Sequence, residues 1–334
     1  MTSSLFADRK RASEARLGSF AGRFAENLDR RELLLGDHTT LFATGSGGRN
    51  ELSEHSDLDV FVLRRGRPAS TLDSVEIQAA VVRTLREVGF PPPSRDGEFL
   101  RMHTAERLVD NIGKPADDAE NTFTARMLLL LESRPLAGET AYEAALGDVI
   151  GAYWKNAEYH PNDYLPIVLV NDIVRYWRIL LLNYESKNTE RLRELPQERV
   201  KADLRLRSYK LRFSRCMTCY SFLLALLSTS KKRGHVGATD VRAIVAETPT
   251  DRLARVRTDG AEDSRTRTLV NELELAYADF LERTAHGKDT LDERFSDPAY
   301  RRARLAEGDA FGDKVFELVA HLGRDNRLYR YMVV

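Results

Sequence analysis

Cysteine is nearly absent: Cys216 and Cys219 are the two in a chain of 334 residues. Two cysteines cannot form a disulfide framework, so a folded state has to rest on a buried core. Net charge is absent too, with 51 Lys and Arg against 51 Asp and Glu. A wholesale polyanion binder carries a basic excess, so any phosphate contact must come from a local basic cluster. Long apolar runs are also missing. A bilayer span needs roughly 20 apolar residues, and the best candidate, residues 216–230, is too short and is interrupted by Ser and Thr. The opening segment Met1-Thr-Ser-Ser-Leu-Phe-Ala-Asp-Arg-Lys10 has no hydrophobic signal core. These absences give the expectation of a soluble, cytoplasmic protein without a membrane segment. What is present fits a folded chain: 42% hydrophobic residues supply a core, and the length suggests about two domains.

Residues 5–35 place Phe6, Leu17, Phe20, Phe24 and Leu28 at roughly helical period, and Gly36-Asp37-His38 ends that helix. Thr40-Leu-Phe-Ala-Thr44 is β-prone and runs into Gly45-Ser46-Gly47-Gly48. Residues 58–63 read as a second strand, 75–88 as an amphipathic helix closed by Gly89 and Pro91-Pro92-Pro93, and 98–103 as a third short strand. Strand, strand, helix, strand indicates a small sheet domain. After Gly113 the segments 123–132, 164–185, 200–227, 265–285 and 310–322 all look helical. The fold class expected is α+β: an N-terminal helix over 1–36, a sheet domain over 37–118 and a helical domain over 119–334, joined near 113–121.

The informative stretch is residues 42–63, Phe-Ala-Thr-Gly-Ser-Gly-Gly-Arg-Asn-Glu-Leu-Ser-Glu-His-Ser-Asp-Leu-Asp-Val-Phe-Val-Leu. On a strand, Asp57 and Asp59 point the same way while Leu58, Val60 and Val62 point into a core. Two carboxylates about 7 Å apart on one face repel unless a cation lies between them. Magnesium suits that arrangement, taking a few carboxylate oxygens and filling its other positions with water and phosphate. Upstream, Gly45 lets backbone approach a ligand, successive N–H groups there can cradle phosphate, and Ser46 adds a hydroxyl donor. Together these parts suit a metal–triphosphate complex held for in-line transfer. Arg49 suits a structural salt bridge to Glu51, and Ser53 and Ser56 suit hydrogen bonds to the loop backbone.

Gly-Ser, then Arg, Glu and Ser, then Ser-Asp-x-Asp resembles the nucleotidyltransferases of the DNA polymerase β superfamily. It is most similar to the PII-protein uridylyltransferases and related bacterial proteins. Residues 123–138, Phe-Thr-Ala-Arg-Met-Leu-Leu-Leu-Leu-Glu-Ser-Arg-Pro-Leu-Ala-Gly, resemble the helix that follows the catalytic sheet in that group. The resemblance implies Mg²⁺ or Mn²⁺ on Asp57 and Asp59, an Arg49 that orders the loop or touches phosphate, and a third carboxylate on a neighbouring strand that serves the metal and the acceptor. Glu98, at the start of the third strand, is the preferred candidate for it, with Asp96 in the preceding turn as the alternative.

The helical half offers further candidates. Asn171, Arg175 and Arg178 fall on one helical stripe. Lys201, Arg205, Arg207, Lys210, Arg212 and Arg215 stand against the single acid Asp203. This is either a phosphate-facing surface or a solvated helix face. Lys210 and Ser214 are spaced i, i+4, and the resemblance implies that a lysine and a hydroxyl from the helical domain meet the triphosphate. Cys216-Met-Thr-Cys219 is one C-x-x-C without a second ligand pair, so core packing is the expectation. The aromatics Trp154, Tyr159, Tyr164, Tyr176 and Trp177 suit a helix interface or base stacking.

The activity implied is transfer of a nucleoside or deoxynucleoside monophosphate from a nucleoside triphosphate to an acceptor hydroxyl. The segments 171–178 and 210–215 look similar to bacterial anti-phage nucleotidyltransferases, including those of Hailong-type systems. That similarity implies an oligonucleotide or nucleotide-signal product and an effector or antitoxin protein as partner. The alternative acceptors are a protein or a tRNA end. Should synthesis start without a primer, Tyr164, after the turn-like His160-Pro-Asn-Asp163, is the candidate first acceptor.

Overall fold

Helix α1 (Thr2–Asn27) buries Leu17, Phe20 and Phe24, three and four residues apart, which is the expected apolar stripe. The computed structural model describes residues 2–92, 97, 100–160, 162–194 and 197–333, and the side chains of all of these except 2, 3 and 187–201. After the single turn α2 (Arg31–Leu34) comes β1 (Thr39–Thr44), whose six residues are all buried. A one-turn helix, α3 (Gly45–Gly48), leads into the loop before β2 (Asp59–Arg64). Helix α4 (Thr71–Glu87) starts at Ser70, whose hydroxyl accepts from the Asp73 amide, and buries Ile77, Ala80, Val81, Thr84 and Leu85. Then follow β3 (His103–Thr104), α5 (Ala105–Asp110), α6 (Ala116–Ala119), α7 (Thr122–Leu131), β4 (Arg134–Ala137) and α8 (Glu139–Tyr153).

The sheet has the order β3-β2-β1-β4, with β1 antiparallel to β2 and β4, and β2 parallel to β3. One face carries Leu41, Ala43, Val60 and Val62 into a core shared with α1 and α4. On the other, the Phe42 ring stacks on Phe61 at 5.6 Å and meets Tyr142 of α8. The residues from Val60 to Leu63 are therefore buried on both sides. Under the sheet, Arg126 pairs with Asp117 through Nη1 at 2.9 Å and Nη2 at 2.6 Å, both side chains being fully buried. Burial works against the Arg126 charge, but bonds to Asp117 and the Tyr153 hydroxyl outweigh it and hold the guanidinium above its ordinary pKa.

The chain divides into two compact units, Ser3–Lys155 and Asn156–Val334. This places the division well beyond the expected join at 113–121. Gly138 is the reason: at φ +69 it turns so close to β1 that a Cβ there would stand 2.1 Å from the Thr39 carbonyl oxygen. That turn lays β4 along β1 and α8 against the sheet, so α6, α7 and α8 belong to the first unit. The third strand is also corrected. Residues 100–102 are not strand, and β3 is a two-residue bridge, Leu63 to His103 and Arg64 to Thr104.

The second unit is helical throughout its described elements. Helix α9 (Ile167–Glu194) and α10 (Gln197–Lys210) lead through a π-helical turn, Leu211–Arg215, into α11 (Cys216–Arg233). Against α11 pack α12 (Ala238–Ala246), α13 (Pro249–Asp259), α16 (Pro298–Gly323) and α17 (Arg327–Val333), while α14 (Ser264–Arg283) packs on α13 and α16, and α15 (Lys288–Ser296) on α10 and α16. Residues 216–230 are buried along nearly their whole length, which explains their lack of charge. Among the described residues no helix is long and apolar enough to cross a membrane.

Candidate active site

Asp59 opens β2 directly opposite Thr44, the last residue of β1. The chain then turns at Gly45, whose φ of +61 suits glycine. A Cβ on Gly45 would lie 3.2 Å from Asp59 Oδ2, so the absent side chain keeps the space beside that carboxylate open. Two residues upstream of Asp59, Asp57 is exposed, and Leu58 between them is buried. The strand begins one residue later than expected, yet the alternation that separates Leu58 from the two acids holds. Ser46 is half-exposed, whereas its neighbours from Thr39 to Leu52 are all buried. The structure thus brings Gly45 and Asp59 together and leaves Ser46 and Asp57 accessible.

The loop between these residues is held at several points. Within it, the Arg49, Asn50 and Glu51 amides donate to the Gly45, Gly47 and Ser46 carbonyls at 3.0, 3.1 and 2.8 Å. Arg49 turns inward rather than toward solvent, with 6% of its side chain exposed. Its Nε donates to Glu51 Oε2 at 2.7 Å and its Nη1 to Glu132 Oε2 at 2.5 Å. Of the two roles expected for Arg49, the geometry displays the loop-ordering one. Farther along, the Leu52 amide donates to Ser13 Oγ at 2.8 Å, and Arg9 and Arg16 of α1 reach the Leu52 and Ser53 carbonyls. The Ser53 amide donates to Ser56 Oγ at 2.9 Å, which is the backbone role expected of Ser56.

Sequence reading missed Glu132, Ser13 and the two α1 arginines. One signal for Ser13 was available: it lies on the same stripe as Leu17, Phe20 and Phe24, and a serine on a buried face needs a hydrogen-bond partner. Glu132 carries no local signal because its partner lies 83 residues away.

Asp57 and Asp59 offer the hard oxygen donors that Mg²⁺ prefers, and triphosphate oxygens and water can complete its shell. In that respect the residues present fit the ion. Among the described residues no group of three or more His, Cys, Asp or Glu is arranged to hold a metal. Asp96 and Glu98, the two candidates for a third carboxylate, lie outside the described residues. His103 stacks on Phe61 at 6.3 Å, and burial, reinforced by Arg101, lowers its imidazole pKa.

In the helical unit the candidates are arranged differently. Asn171 and Arg178 are exposed and Arg175 half-buried along α9, as a surface stripe requires. Lys210 is exposed, but Ser214 is buried in the π turn, where its hydroxyl donates to the Lys210 carbonyl at 2.9 Å. The Ser214 hydroxyl is thus engaged by the backbone, while the Lys210 side chain stays at the surface. The basic run is also partly neutralised, because Arg207 pairs with Asp203 at 2.9 Å and Arg212 reaches Asp309 on α16.

Cys216 and Cys219 form no disulfide and are buried, and burial pushes the Cys216 thiol up to about 12. They are core residues. Tyr176 is buried, Trp177 meets Tyr220 edge-on at 5.8 Å, and Tyr159 is largely exposed. Tyr164 is half-buried, which raises its phenol pKa, and its carbonyl accepts from the Val236 amide at 3.0 Å. Comparison of the chain with protein-family models and with curated proteins returns no match.

Proposed function

We propose that this chain is a metal-dependent nucleotidyltransferase that moves a nucleoside or deoxynucleoside monophosphate from a triphosphate to an acceptor hydroxyl. The observation that carries the reading is the close approach of Gly45 to the Asp59 carboxylate, with Asp57 exposed two residues away. The positive φ at residue 45 itself favours glycine, and the missing side chain also leaves the Asp59 carboxylate uncrowded. That arrangement suits a ligand that must approach both backbone and carboxylate.

In this reading Asp57 and Asp59 hold Mg²⁺ or Mn²⁺, and Gly45 and Ser46 bind phosphate oxygens through an N–H group and a hydroxyl. The bound metal supplies charge neutralisation on the phosphates. The acceptor oxygen forms a bond to the α-phosphorus, the bond from that phosphorus to the bridging oxygen breaks, and pyrophosphate leaves. A third carboxylate, Glu98 or Asp96, takes the acceptor proton. Lys210, Asn171 and Arg175 add charge and hydrogen bonds for the triphosphate. Arg49 orders the loop through Glu51 and Glu132.

The preferred acceptor is another nucleotide, giving an oligomer or signal of the kind made in anti-phage defence; a protein or tRNA end is the alternative. Incubation with each labelled ribo- and deoxynucleoside triphosphate and Mg²⁺, then separation of oligonucleotide, RNA and protein products, tests this. Label in oligonucleotides supports the preferred acceptor, and label on protein or tRNA moves the reading to the alternative. On intact-mass analysis, a nucleotide adduct lost in Tyr164→Phe would identify Tyr164 as the first acceptor. No label in any product rejects the reading.

A further inference from the structure

We infer that Glu132 is a positioning residue for the phosphate-binding turn, acting through Arg49. For what the turn binds, this rests on the nucleotidyltransfer reading; for the ordering of the turn, it does not. Glu132 follows α7 and meets the loop in two ways. Its side chain, 1% exposed, accepts the Arg49 Nη1 bond at 2.5 Å. Its main chain lies against Gly48, where a Cβ would stand 1.9 Å from the Glu132 carbonyl oxygen. Glycine at 48 is therefore a requirement of contact with residue 132.

The far side of this contact is fixed as well. Ser133 Oγ donates to the Leu129 carbonyl at 2.6 Å and shares a 2.8 Å hydrogen bond with the Tyr142 hydroxyl on α8. A buried polar series thus runs from α8 through residues 132 and 133 to Arg49 and Glu51. Glu51 closes it onto the turn, because its amide donates to the Ser46 carbonyl at 2.8 Å. Charge-assisted bonds are stronger and more directional than neutral ones, and in a buried setting they fix the backbone that carries them. The backbone fixed here is that of Gly45 and Ser46.

Two buried carboxylates, Glu51 and Glu132, meet the one Arg49 guanidinium. Glu132→Gln leaves one cation facing one anion, so the variant should fold. Without the charge, the bond to Nη1 weakens and the turn loosens. Two readouts then separate positioning from general support. Hydrogen exchange of the Arg49, Asn50 and Glu51 amides should quicken about tenfold in Glu132→Gln, with exchange in the helical unit unchanged. The KM for Mg·triphosphate should rise about tenfold while kcat stays within about threefold, since the turn binds substrate and transition state alike. A merely structural role would reduce the active fraction, lowering kcat at constant KM. The Arg49→Gln/Glu132→Gln double variant should show no larger KM than the worse single variant, because both act through one bond.

Should Glu132→Gln not fold, Glu132→Asp, which keeps the charge and shortens its reach, is read by the same two measurements. Wild-type exchange rates at residues 49–51 in the variant would overturn the inference, as would a loss of kcat alone. A wild-type protein that transfers no nucleotide would overturn the functional reading instead, and exchange would still decide whether Glu132 orders the turn.

Discussion

Two arginines of the sheet unit, Arg49 and Arg126, are buried against carboxylates, while Asp57 and Asp59 stand at the open start of a strand. In the helical unit the cations at the candidate surface stay outside: Lys210 is exposed, and Arg207 and Arg212 pair with acids near solvent. Its deeply buried arginine, Arg252, donates to the Ile244 carbonyl at 2.9 Å and lies 4.8 Å from the Phe222 ring centre. The first unit fixes the directions of its functional groups through strand register and buried ion pairs. The second presents long side chains whose heads can follow a ligand. The two units thus treat charge differently, the first burying it in fixed pairs and the second leaving it near solvent at the candidate surface.

The sharpest way to break that contrast is to remove a group from each unit. Asp59→Asn and Asp57→Asn should each lower nucleotide transfer about 10³-fold or more, since each removes a charged metal ligand. Neither acid is needed for the core, so the thermal midpoint should hardly move. A variant of either that turns over normally would remove these acids from the chemistry.

A stability comparison comes next. Asp117→Ala leaves Arg126 buried without its carboxylate and should cost about 3–5 kcal/mol in denaturant unfolding. Asp309→Ala removes a partner of the half-exposed Arg212 and should cost less than about 1 kcal/mol. Equal losses would mean that the two units do not treat charge differently.

The smallest effect is expected at Lys210. Lys210→Ala should raise the apparent KM for triphosphate by about tenfold with little change in kcat, and binding should become less sensitive to salt. A fall in kcat at unchanged KM would give the helical unit a geometric role.

Much of the sheet unit was legible because its signals are local. The β-prone run at Thr40 to Thr44, the glycines that follow it and the alternation around Leu58 each depend on a few consecutive residues. So does the apolar period of α4, which runs four residues farther toward its N-terminus than expected. What could not be read depends on distant contacts. The return of β4 to β1 rests on Gly138 pressing against Thr39, and nothing near residue 113 reveals it. Arg49 was legible as an ion-pair former with Glu51, two residues on, but not with Glu132. At Ser214 the spacing from Lys210 was legible, but the burial that engages its hydroxyl with the Lys210 carbonyl was not.

The central claim is that the chain transfers the α-phosphoryl group with its nucleoside. Its most direct test is a paired incubation with triphosphate labelled at either the α or the γ phosphorus, using wild type and the Asp57→Asn/Asp59→Asn double variant with Mg²⁺. The expected result is α-label in an acceptor and γ-label in pyrophosphate for the wild type, with neither produced by the double variant or in the presence of chelator. Transfer of the γ-label to the acceptor, or full α-transfer by the double variant, would contradict it.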